Sequence, residues 1–200
     1  MLIHRDKRFA FLSNPKAAST TIETWLGQTP GMACFQGDAK FKHTTFQGFV
    51  KVMQAYGEPV DDYEVMCIVR HPLDKARSWF RYRSRQALSN NPDRYLGDRT
   101  FTEYVEEILH EHENGRRDFS FLNLRFVCDE HDAVRVGRIF PYHRIDAAFE
   151  YLRRRLDLSG PVPAEALNVS PEVDTALSPE LTQAFSQVFA EEIQWYESLE

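Results

Sequence analysis

Residues 9 to 23 constrain this chain more than any other stretch. An apolar run, Phe9-Ala-Phe-Leu12, stops at Ser13-Asn-Pro-Lys16, and after two alanines three hydroxyl residues, Ser19-Thr-Thr21, open a helical pattern. A strand that ends at a Pro-Lys turn and passes directly into a helix brings an ammonium, side-chain hydroxyls and the helix's first backbone N–H groups to one small volume. Such a volume suits a phosphate or a sulfate. The pattern predicts an α/β domain with an anion loop after its first strand. An ordinary helix N-cap after a turn is the plainer reading of the same residues.

A second segment has the same logic. Val65-Met-Cys-Ile-Val69 is a continuous apolar run of the kind that forms a strand buried on both faces, and Arg70 follows at its carboxyl end. Pro72 suits the first turn of a helix, and Leu73, Ala76, Trp79 and Phe80 recur at helical spacing. Ser78 then lies near two turns into that helix, with its side chain tilted back toward the helix start and Arg70, so that one phosphate is expected to reach both. The plainer reading of Arg70 is a strand-end arginine paired with an acidic neighbour.

The first loop lacks the glycines of Gly-x-x-x-x-Gly-Lys-Ser/Thr, and its Lys precedes the hydroxyls by three residues, which disfavours a Walker-type kinase. Pro15-Lys16-Ala17-Ala18-Ser19-Thr20-Thr21 resembles instead the 5′-phosphosulfate loop of sulfotransferases that use 3′-phosphoadenosine 5′-phosphosulfate (PAPS). Val69-Arg70-His71-Pro72 through Ser78-Trp79 is similar to the 3′-phosphate motif of the same family, in the family's order, closest to its carbohydrate-type and bacterial branch. The resemblance implies a P-loop-like, three-layer α/β domain with a central, mostly parallel sheet flanked by helices. It implies that Lys16, Ala17, Ala18, Ser19, Thr20 and Thr21 hold the 5′-phosphosulfate, with Lys16 on the leaving bridging oxygen, and that Arg70 and Ser78 hold the 3′-phosphate. The reaction implied moves the sulfuryl group to an acceptor hydroxyl, carbohydrates included, without a metal, and leaves 3′-phosphoadenosine 5′-phosphate (PAP).

That transfer needs a base for the acceptor. His43, in the Lys42-His43 pair just before a predicted helix, stands where many bacterial relatives look similar, and Glu23 is the alternative because some members use a carboxylate. Asn168 and Ser170 correspond to a segment that closes over the cofactor in the family. Where relatives carry an aromatic-Glu pair, this chain has Pro141-Tyr-His-Arg-Ile145, which leaves His143 as a substitute contact or a surface residue. Rival functions are an ATP-dependent phosphotransferase, for which no metal-holding Asp follows a strand, and a nucleotide-binding module without turnover.

Two hundred residues fit one domain, spanning 1–200. The net charge of −6 argues against a general nucleic-acid binder, although Arg70, Lys75, Arg77, Arg81, Arg83 and Arg85 form a local basic run. Cys34, Cys67 and Cys128 are too scattered for a disulfide framework or zinc site, and His110 and His112 point to different sides of a helix. With neither a membrane-span-length apolar stretch nor a secretory signal, a cytoplasmic enzyme is expected.

Strands are predicted at 8–13 and 64–70, with short ones at 119–124, where a helix is the alternative, and at 134–140. Helices are predicted at 19–27, 44–56 and 72 to the high eighties, and another behind the capping box Thr100–Glu103 to about His112. An amphipathic helix carries Ile145, Ala148, Phe149, Leu152 and Leu156, with Arg153-Arg154-Arg155 on a solvated face. A last helix from Ser178-Pro179-Glu180 carries an apolar stripe to Tyr196.

Overall fold

A computed structural model describes residues 1–35, 39–91, 94–163 and 172–199. The chain divides into two compact units, the first built on Met1–Arg70 and the segment that begins at Asn123, the second on His71–Leu122 and the last helices through Ser198.

The first unit is an α/β unit around a five-stranded sheet. Its strands are β1 (Leu2–His4), β2 (Phe9–Leu12), β3 (Met32–Cys34), β4 (Glu64–Val69) and β5 (Arg138–Pro141), in the order β3-β1-β2-β4-β5. The sheet is mixed rather than mostly parallel: β2 pairs with β4 and β4 with β5 in parallel, but β1 runs antiparallel to both β2 and β3. The cause lies in chain length, because the Arg5–Arg8 connection between β1 and β2 makes a hairpin, whereas a parallel crossover needs a dozen residues or more. The anion loop therefore follows the second strand, not the first.

Alternation along β2 and β4 sends Phe9, Phe11, Met66 and Ile68 into one apolar cluster. Ile22 and Leu26 of α1 (Ser19–Leu26) join it there, with Ala148, Phe149 and Leu152 of the amphipathic α7 (Ile145–Arg155). The alternate residues Ala10, Leu12, Val65, Cys67 and Val69 are buried as well, as a strand covered on both faces requires. Two further helices belong to the unit, α2 (Ala39–Lys42) and α3 (Phe46–Ala55), the latter capped by the Thr45 side chain and burying Phe46, Phe49 and Met53. The register pairs Leu12 with Cys67 and Val69 with Pro141, so β2, β4 and β5 end at one edge of the sheet. Whatever follows Leu12, Val69 and Pro141 emerges together.

The second unit is helical. Helices α4 (Pro72–Arg83), α5 (Phe101–Glu113), α8 (Pro179–Val188) and α9 (Ala190–Glu197) surround Phe80, Phe101, Tyr104, Phe119, Phe121, Phe185 and Phe189. The capping box forms: Thr100 Oγ1 accepts from the Glu103 N–H and the Glu103 carboxylate from the Thr100 N–H. Three expectations change. Residues 119–124 make no strand, because Phe119 and Phe121 stack on each other inside the aromatic cluster, and α6 (Leu124–Val127) follows in the first unit. The last apolar stripe spans two helices, interrupted at Phe189 (φ −108°, ψ 29°), although Phe185, Phe189 and Tyr196 are all buried. Helix α4 stops at Arg83, where Ser84 turns its hydroxyl back onto the Phe80 carbonyl. Among the described residues no helix is long and apolar enough to cross a membrane.

Candidate active site

The loop between β2 and α1 has an unusual backbone. Lys16 (φ 64°) and Ala18 (φ 57°, ψ 16°) both adopt the left-handed conformation, on either side of Ala17. A non-glycine residue held there costs about 1–2 kcal/mol. Left-handed residues alternating with ordinary ones turn successive N–H groups toward a common concavity, which is how a nest for an anion forms. Surrounding packing holds the strain in place: Ala17 is buried, and the Asn14 side-chain amide donates to the Ile68 carbonyl at 3.0 Å and to Asn123 Oδ1 at 3.1 Å.

Helix α1 then starts without a side-chain cap and with no acidic residue in its first turn. Its positive end is thus left uncompensated by the helix's own side chains. Ser19 and Thr21 are buried and Thr20 is half-buried. The plainer reading of these hydroxyls as an N-cap does not hold, since the N-cap position is taken by Ala18.

Arg70 reaches this loop from β4. Its Nη1 donates to the Lys16 carbonyl at 3.4 Å, and its guanidinium lies 4.6 Å from the centre of the Tyr142 ring, just beyond β5. A guanidinium packed on an aromatic face is fixed in orientation and keeps its charge. The loop after β2 and Arg70 after β4 thereby meet in one unit. Ser78 lies in the second unit, half-buried on α4.

His43 also attaches to the anion loop. Its Nδ1 lies 2.7 Å from the Ser13 carbonyl oxygen, which can only accept, so Nδ1 carries the proton and the neutral ring's lone pair is on Nε2. Burial pushes the imidazole below its ordinary pKa and the nearby Lys42 ammonium adds to this, against the pull of the Ser13 carbonyl and Glu23. The ring is therefore neutral and basic at Nε2 near neutral pH. Glu23 is buried, its Oε2 3.1 Å from Lys42 Nζ and its Oε1 3.9 Å from the amine of Met1.

Two residues join the site that sequence does not single out for it. Tyr142 supports Arg70, and Asn123 links Arg70 to Asn14. Both act through tertiary contacts; Tyr142 lies in the Pro141–Ile145 segment, where the sequence draws attention to the missing Glu and to His143, and Asn123 stands in no local pattern that marks it. His143, Tyr142's neighbour, is exposed. Asn168 and Ser170 lie outside the described residues. Among the described residues, no group of three His, Cys, Asp or Glu side chains is placed to hold a metal ion.

No family model, curated protein or solved structure matches this chain.

Proposed function

We propose that this chain is a PAPS-dependent sulfotransferase with a P-loop-like fold, acting on an acceptor hydroxyl, carbohydrates included. The observation that carries the reading is the juxtaposition of a glycine-free left-handed nest at Lys16 and Ala18 with Arg70, which donates to the Lys16 carbonyl itself. A strained nest, a helix start without a side-chain cap or a first-turn acid, and a pre-set guanidinium are donors and positive charge that suit a ligand with two separate phosphoryl positions.

In this reading the backbone of Lys16 to Thr21, with Ser19 and Thr20, holds the 5′-phosphosulfate, and Arg70 the 3′-phosphate. PAPS supplies a sulfuryl group on a good phosphate leaving group. Lys16 puts a positive charge where the bridging oxygen gains negative charge. His43 accepts the acceptor's proton on Nε2, and its Nδ1–H bond to Ser13 fixes the ring for that task. No step assigned to these residues calls for a metal. A cytoplasmic setting belongs to the same reading.

Calorimetric titration with PAP and with ATP, each with and without Mg²⁺, separates this reading from a phosphotransferase. PAP is expected to bind without Mg²⁺ and more tightly than ATP; tighter, Mg²⁺-dependent ATP binding overturns the proposal. Transfer of labelled sulfuryl from PAPS to a panel of glycans, lipids, alcohols and peptides then separates an enzyme from a nucleotide-binding module.

A further inference from the structure

Asn123 stands at the N-cap of α6, where an asparagine side chain ordinarily accepts from the N–H groups of its own helix. It makes no such cap. Its amide turns instead to the two strand ends of the site, fully buried. Oδ1 accepts from Asn14 Nδ2 at 3.1 Å and from the Arg70 backbone N–H at 3.4 Å, while Nδ2 donates to the Arg70 carbonyl at 3.0 Å. Asn14 in turn donates to the Ile68 carbonyl of β4. One buried amide thus joins the segment two residues before Lys16 to both backbone groups of Arg70.

The same pair of residues marks where the chain leaves and re-enters the first unit, which it departs after Arg70 and rejoins at Asn123. An inserted segment whose two ends were free to shift would move Arg70 relative to the nest. The Asn123 amide, bonded to Arg70 on both sides of its backbone, prevents that shift.

We infer that Asn123 is a positioning residue that holds the nest and Arg70 in register, and so selects ligands carrying two phosphoryl groups at a fixed separation. The identity of that ligand as PAP rests on the sulfotransferase reading; the register does not. Asn123 touches neither ligand phosphate in this account and acts only through Asn14 and Arg70.

The test compares wild type, Asn123→Ala, Asn123→Asp and Asn14→Ala by two measurements. Affinities for PAP, adenosine 5′-monophosphate and adenosine 3′-monophosphate are read by titration, and amide hydrogen exchange is read on the ligand-free proteins. Asn123→Ala is expected to weaken PAP about 10- to 100-fold, and each monophosphate much less, so that the preference for two phosphates collapses. Asn123→Asp keeps the acceptor toward Asn14 and loses the donor to the Arg70 carbonyl, and is expected to fall between wild type and Asn123→Ala. Exchange is expected to rise at Lys16 to Ser19 and around Arg70 while α5 and α7 stay protected. An unchanged PAP-to-monophosphate ratio in a folded variant overturns the register, and so does a rise in exchange spread evenly over the unit. If Asn123→Ala does not fold, Asn14→Ala removes the same tie from the other side and must give the same two signatures. Wild type that fails to bind PAP overturns the sulfotransferase reading instead, and the exchange measurement still decides the register.

Discussion

At the amino edge of β2, β4 and β5 every acid in the ion-pair network has basic partners. Glu58 accepts from Arg5 and Arg8, Glu64 accepts from Tyr151 and from Arg155 Nε at 2.6 Å, and Lys7 Nζ meets Asp157 at 2.7 Å. At the carboxyl edge of the same strands the balance is reversed. Lys16, Arg70, Lys42 and the start of α1 gather around the loop, and the nearby acid, Glu23, is buried against Lys42. The ion pairs of the first edge tie its elements to one another; at the second, basic groups gather beside the left-handed backbone of Lys16 and Ala18. That contrast implies that perturbing the carboxyl edge changes ligand handling, and perturbing the amino edge changes stability alone.

The largest expected effect is at His43. As general base, His43→Ala should lower turnover about 10²- to 10⁴-fold while PAP affinity and melting temperature stay close to wild type. The pH profile carries the sign of the pKa shift. Because burial depresses the folded imidazole, the ring stays neutral to lower pH than a free one, so the acidic limb of the wild-type rate should lie below about 6.5 and vanish in the variant. The same depression means that the unfolded chain takes up a proton first as pH falls, so His43's share of stability is present above the unfolded pKa and is lost below it. A variant that melts early but keeps its rate per folded molecule makes the histidine structural and moves the test to Glu23.

Lys16→Ala comes next, with turnover expected to fall about 10²- to 10³-fold and PAP affinity much less, since its charge acts on an oxygen that becomes negative only as the bond breaks. Arg at this position should not restore the rate, because a planar guanidinium does not place a point charge there. Near-wild-type turnover at saturating PAPS in Lys16→Ala would remove its leaving-group role. Arg70→Ala follows, expected to weaken PAP by about 1.5–3 kcal/mol while leaving adenosine 5′-phosphosulfate, which lacks the 3′-phosphate, nearly indifferent. Equal losses for both ligands would take Arg70 out of the 3′-phosphate site.

The places of Lys16 and Arg70 are legible in the sequence because each follows a strong apolar run, that of β2 or β4; the choice of His43 comes from the family resemblance. Residues that act across the fold are not legible: Asn123 lies 53 positions from Arg70, and nothing in Leu122-Asn-Leu124 marks its amide as a tie between strand ends. The strands β1 and β3 escape for a different reason. Each is three residues long, too short for a period to show, and their antiparallel pairing turns an expected mostly parallel sheet into a mixed one. The left-handed Lys16 and Ala18 are invisible too, because glycine is the usual sign of such backbone and none stands there.

At the amino edge, Glu64→Gln should lower the melting temperature by about 2–4 °C and leave PAP affinity unchanged, a modest loss because the pairs are partly exposed to solvent. Burial pushes the Glu64 carboxyl up, yet the Tyr151 and Arg155 hydrogen bonds and the Arg155 and Arg138 charges bring it below its ordinary value. Its contribution is therefore present above the unfolded pKa and is lost as pH falls through the depressed folded one. Wild type and variant should converge in stability under acid. A change in PAP affinity in Glu64→Gln would break the distinction between the edges.

The smallest effects give the sharpest version of that distinction, because one substitution can be made at both edges. Ala18 (φ 57°) opens α1 at the nest, and Asp157 (φ 51°) follows α7 on the amino side, where its N–H bonds the Arg154 carbonyl at 3.3 Å. Glycine relieves the left-handed penalty of about 1–2 kcal/mol at either place, but its added freedom in the unfolded chain takes back about 0.5–1 kcal/mol. Ala18→Gly should therefore stabilise the protein by about 0.5 kcal/mol. Asp157→Gly should gain no more, since it also loses the Lys7 pair. The two should part on ligand binding: a glycine nest must be ordered by the anion it holds, so Ala18→Gly should weaken PAP by about two- to tenfold, whereas Asp157→Gly should not move it. Denaturant melts and PAP titrations on both variants check this directly. If Ala18→Gly gains stability and keeps full affinity, the strain at Ala18 is a turn like the one at Asp157, and the claim that the carboxyl edge is preorganised for an anion fails at its nest.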